Sequence, residues 1–137
     1  MLGAQQIPKE LDWVSERSKC AAFEIFVQLR IEVEKDVATR QALEPPDHHS
    51  FKTEFTFRNS SSDIFCVLRG GMRKPSVVQF RLEGESIAVR DESNKTVMRA
   101  TLGLNELGEC ILRLEDNIEL RTWQFRHKAL EKLFFGT

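Results

Sequence analysis

The hydrophobic period of this chain changes once, at Pro45-Pro46, and that change restricts the fold more than any other feature. Ahead of the two prolines no glycine or proline interrupts Lys9 to Glu44, and apolar residues recur at helical spacing. Beyond them lie about seven short runs of alternating apolar and polar residues, each cut by turn residues, then a short amphipathic stretch. The pattern predicts an α+β fold. A long N-terminal helix packs on a curved antiparallel meander sheet of about six or seven strands, followed by a short C-terminal helix. At 137 residues the chain fits one domain, expected to bury roughly two-thirds of its unfolded surface.

Two periods compete in the first segment. Phe23, Ile25, Val27, Leu29, Ile31 and Val33 alternate as in a half-buried strand, whereas Ala22, Phe26, Leu29, Val33 and Val37 fall on one helical stripe. The helix is favoured, because a strand would run into Glu34 to Leu43 without a turn. Ser15 or Ser18 can cap its start, and Pro45-Pro46 ends it, since proline lacks an N–H and clashes with the preceding turn. The expected span is Ser18 to Leu43.

Read as a helix, Phe23, Ile25, Phe26, Val27, Leu29, Ile31 and Val33 cover well over half its circumference. A surface helix needs only a ~100° stripe. This helix is therefore gripped by a curved sheet or shared with a second subunit. Leu11, Trp13 and Val14 suggest that part of the N-terminal stretch also packs on the body, since an exposed tryptophan forfeits ~1.5–3 kcal/mol of burial.

Turn residues then punctuate the chain at Asn59 to Asp63, Arg69-Gly70-Gly71, Glu83-Gly84-Glu85, Glu92-Ser93-Asn94, Asn105 to Gly108 and Asp116-Asn117. The strands between them are predicted over 51–58, 64–69, 76–82, 86–90, 96–102, 109–115 and 118–122, with a helix over 123–135. Connections this short force antiparallel neighbours. Parity puts Phe51, Phe55, Phe57, Val78, Phe80, Leu82, Ile87, Val89, Met98, Ala100, Leu102, Leu112, Leu114 and Leu120 on the inner face. Arg58, Arg81, Arg90, Arg99, Arg113 and Arg121 fall on the outer one. Ala129, Leu130, Leu133 and Phe134 form a stripe on the last helix, which can dock on the outer face or beside the long helix.

Composition narrows the function classes without choosing one. A net charge of −1 gives no global attraction to nucleic acid or acidic membranes, so such a partner needs a local patch. No apolar run approaches the ~18 residues of a membrane span. Met1 to Glu10 has no basic region leading into an apolar stretch, so no secretory leader is expected. Cys20, Cys66 and Cys110 are odd in number and widely spaced, with no C-x-x-C pair. They read as buried free thiols, which together with the missing leader implies a cytoplasmic protein.

Candidate sites are few. Arg69-Gly70-Gly71 with Arg73 and Lys74 combines two glycines and three cations, which suits an anion, but it lacks the order of a phosphate-binding loop. A solvated hairpin turn is the simpler reading. The outer arginines lie among Glu54, Glu83, Glu115 and Glu119, so cross-strand pairing explains them more simply than RNA or an acidic partner, and the face lacks aromatic residues for base stacking. Asp47-His48-His49 is the one ligand-bearing cluster and reads as a polar connector. No metal site, cofactor or catalytic constellation is encoded in a recognisable pattern. A small-molecule cavity between helix and sheet would be lined by Phe55, Phe57, Phe80 and Met98.

These observations favour a non-catalytic binding or interaction module, self-associating as a homodimer or binding a protein partner. A small-molecule-binding or enzymatic domain is the alternative. Anion or RNA binding through the Gly-Gly loop and the arginine face comes third.

Overall fold

The computed structural model describes residues 10–45, 53–71 and 74–136. Phe51, Arg73 and the Asp47-His48-His49 cluster lie outside the described residues. Two N-terminal helices, α1 (Trp13–Lys19) and α2 (Ala22–Ala42), precede seven strands and a C-terminal helix, α3 (Thr122–Phe135). The strands are β1 (Glu54–Ser61), β2 (Ile64–Gly70), β3 (Ser76–Glu83), β4 (Ser86–Arg90), β5 (Thr96–Leu104), β6 (Cys110–Leu114) and β7 (Glu119–Leu120). They form one antiparallel sheet in strictly sequential order. This is the meander predicted from turn spacing, with short connections imposing each antiparallel pair.

The expected single helix from Ser18 is in fact two. Ala21 is extended, with φ −105° and ψ 147°, which ends one helix and starts the next. Neither Ser15 nor Ser18 caps the first turn. Asp12 does, its carboxylate accepting from the Ser15 N–H at 3.2 Å.

The inner face is ordered by register. Phe65 pairs with Phe80, Phe80 with Val89 and Val89 with Met98; alongside, Leu82 pairs with Ile87, Ile87 with Ala100 and Ala100 with Leu114. Onto these rows α2 lays Phe26, Leu29, Val33 and Val37, and α3 lays Phe125, Leu130, Leu133 and Phe134. Aromatic contacts tie the layers together. Phe65 stacks on Phe80 at 4.8 Å and meets Phe26 at 5.0 Å, while Phe134 stands edge-on to Phe55 at 5.4 Å. Both helices thus share the inner side. Arg126 of α3 is clamped by Glu32 and Asp36, one turn apart on α2, which fixes the two helices against each other.

The sheet keeps β1 and β7 as edges. On the β1 side, side chains of α2 occupy exposed backbone groups. Gln41 accepts from the Phe55 N–H at 2.7 Å, and Arg30 donates to the Ser61 and Ser62 carbonyls at 2.8 and 2.6 Å. An edge so occupied is a poor template for a foreign strand.

The expectation of three free thiols is overturned. Cys20, between α1 and α2, is disulfide-bonded to Cys110, the first residue of β6; Cys66 remains free and buried. A separation of 90 residues hides this pair from any spacing argument. It is created by the meander, which returns β6 to the end of the sheet where the helices begin. The cytoplasmic expectation loses the support it drew from free thiols. Among the described residues no helix is long and apolar enough to cross a membrane.

Candidate interaction surface

Five of the twelve exposed large apolar side chains among the described residues lie on the two N-terminal helices. Trp13 and Val14 of α1 are 63% and 60% exposed, and Phe23, Val27 and Ile31 of α2 are 55%, 39% and 45% exposed. Trp13 and Val14 themselves are therefore left uncovered, while part of the stretch does meet the body, with Leu11 against Gly108 and α1 against β5. Burial in α2 is met by Phe26, Leu29, Val33 and Val37, which turn toward the sheet. Phe23, Val27 and Ile31 fall four residues apart and so form one continuous row along the helix. Trp13, Val14 and Phe23 border a common recess of about 460 Å³ between α1, the start of α2 and the Gly84-Glu85 turn. The row and the recess thus form one apolar run spanning both helices.

A second recess lies between α2 and α3. It encloses about 260 Å³ over Leu130 and Phe134, and exposed Leu43, Trp123 and Phe135 stand around it. Its charges are internally matched, with Arg126 held by α2 carboxylates, Arg40 paired to Glu44 at 3.2 Å and His127 beside Glu131 at 3.0 Å.

The residues singled out for other chemistry are placed as follows. The inner-facing Arg69 donates through Nη1 to the Leu133 and Gly136 carbonyls at 3.1 and 2.7 Å, capping the end of α3. Gly70 is paired in β2 opposite Glu54, Gly71 has φ +81°, and Lys74 is exposed. The described part of the loop therefore brings Gly71 and Lys74 to the surface and withdraws Arg69. Phe55, Phe80 and Met98 are buried and Phe57 is half-buried, all four within the packed core. On the outer face Glu83 bridges Arg90 at 2.9 Å and Arg99 at 2.7 Å, while Arg113 pairs with Glu119. Arg81, beside Ala88 in register, lies near Asp63. The Ser61 hydroxyl donates to Asp63 at 2.7 Å and, with the Asp63 backbone N–H, holds that carboxyl below the usual aspartate range.

The apolar girth of the long helix was the sequence signal for the exposed row. Nothing in the sequence marked Trp13 or Trp123 as surface residues, since exposure depends on what the fold leaves uncovered. No family model, curated protein or solved structure matches this chain.

Proposed function

We propose that this chain is a non-catalytic interaction module that binds a second copy of itself through the apolar face of α1 and α2, in an oxidising compartment. The observation that carries the reading is the exposed run Trp13, Val14, Phe23, Val27 and Ile31, which the core does not use. Trp13 and Phe23, of the aromatic type that buries ~150–250 Å² each, are more than half exposed, and with Val14, Val27 and Ile31 the run offers on the order of 500 Å² of apolar surface. That lies near the upper end of the largest patch on a typical monomer. With a polar rim it also approaches the ~800 Å² that each partner contributes to a standard interface. Self-pairing is favoured by geometry: a row at i, i+4, i+8 is the ridge type that interdigitates with its own kind when helices cross near −50°. A twofold axis brings that row onto itself. The disulfide supports the oxidising setting, because such bonds persist there and are rare where thiols are kept reduced.

Light scattering behind size exclusion tests the reading. The expected result is a mass twice that of the 15.8 kDa chain at micromolar concentration, falling to one chain in a Val27→Glu plus Ile31→Glu variant. A single-chain mass for the wild type across the concentration range sinks the proposal. A second reading, a small uncharged apolar ligand in the α2–α3 recess, is favoured by its aromatic border and matched charges. It predicts a change in Trp123 fluorescence on titration with such ligands, abolished by Leu130→Arg.

A further inference from the structure

We infer that the Cys20–Cys110 disulfide gates this association: closed, it holds α1 beside α2 and completes the apolar face; opened, it lets α1 leave and takes Trp13 and Val14 with it. The inference rests on the self-association reading above.

What carries it is how little besides the bridge holds the described part of the N-terminal segment, where Cys20 Sγ lies 3.4 Å from the Gly103 carbonyl. From Glu10 to Ile25, Cys20 is the only buried residue, and α1 buries none of its own side chains. The Asp12 cap and the Arg17 bond to the Cys20 carbonyl at 2.6 Å are local to the segment and tie it to nothing else. Beyond the bridge, Leu11 lies against Gly108 while remaining 42% exposed. α1 touches the sheet at β5, while the 460 Å³ recess separates it from the Gly84-Glu85 turn. A helix of seven residues has little stability of its own in water, so once untethered it unwinds.

The two cysteines differ in exposure. Cys20 is 1% exposed, whereas Cys110 is only half-buried at the head of β6. One thiolate of a dithiol reductant attacks Cys110 Sγ, the S–S bond breaks, and Cys20 leaves as a thiolate that takes a proton. The second thiol of the reductant then attacks the mixed disulfide. Cys110 is released as a thiol, and the reductant closes into its own disulfide. Two electrons have passed to the protein, leaving two thiols. Cys66, buried within β2, takes no part.

The test follows the full chain, oxidised and after dithiothreitol, by amide hydrogen exchange and by light scattering over a concentration series. Reduction is expected to speed exchange in α1 at least tenfold, leave β2 to β5 protected, and raise the dimer dissociation constant at least tenfold. In the oxidised chain Trp13→Ser plus Val14→Ser, which leaves the bridge intact, should weaken the dimer by a similar factor. Unchanged α1 exchange on reduction overturns the gate while leaving the dimer standing, and so does a freed α1 with an unchanged dissociation constant. Exchange in α1 that is no faster than in β2 to β5 after reduction also overturns it, because α1 then opens only with the whole fold. An oxidised chain that stays monomeric removes the self-association reading itself, and the gate with it.

Discussion

At the scale of single residues, the core turns on a few phenylalanines. Phe65 touches Phe26, Phe57 and Phe80 and is fully buried, so Phe65→Ala removes a ring from the junction of α2 and the sheet. Unfolding by urea should show a loss of about 3–5 kcal/mol, the range for an aromatic cavity that its surroundings cannot refill. Asp63 sets a pH dependence of opposite visibility, small and at the surface. Its pKa is lowered by the Ser61 hydroxyl first, then by its own N–H, and further by Arg81 and Arg30 against the opposing effect of desolvation. A carboxyl depressed in the fold adds stability that is complete above its unfolded pKa of ~3.9 and is lost as pH falls through the folded value. The β1–β2 hairpin should therefore loosen below about pH 4, and Asp63→Asn should flatten that acid limb in a pH series of hairpin amide exchange. Asp63 was visible in the sequence as a turn residue, whereas parity did not assign Phe65, because Ile64 to Leu68 is apolar at every position. The shift at Asp63 was not visible there, because it depends on hydroxyl and guanidinium groups that the folded hairpin and α2 bring to it.

At the scale of elements, the boundary between α1 and α2 is where local preference and tertiary constraint part. The uninterrupted run from Lys9 to Glu44 carries no helix breaker, yet the helix stops at Cys20, where the chain is bonded to β6 and Ala21 turns extended. Closing a 90-residue loop restricts the unfolded chain by about 4–5 kcal/mol in the chain-entropy account. Cys20→Ser plus Cys110→Ser should lose stability of that order in guanidinium unfolding, a large share of the roughly 5–15 kcal/mol typical of a domain. The Asn105 to Gly108 turn is equally committed. Gly108 has φ +79°, so the turn needs glycine for its backbone, while the Leu11 Cδ2 that a Cβ would meet is the end of a half-exposed side chain free to swing aside.

At the scale of the whole molecule, the helices meet two environments at once: α2 shows Phe26, Leu29, Val33 and Val37 to the sheet and Phe23, Val27 and Ile31 to solvent. Charges at Val27 and Ile31 should leave monomer stability within about 0.5 kcal/mol, measured by thermal unfolding at low concentration, because neither side chain serves the core. A larger loss would show that the row is structural. The meander was legible in the sequence. Turn chemistry, period-two alternation and short connections are local properties that each segment carries with it. The wide apolar girth of the first long helix was equally legible, although it left open whether a sheet or a second copy covers it. Tertiary structure alone decided that the sheet covers one side only and that α3 joins α2 on the inner face. It also decided that Arg69 caps α3 and that Cys20 reaches Cys110 across 90 residues of chain. Those outcomes depend on which distant segments arrive at the same place, and nothing in a local pattern of residues encodes that meeting.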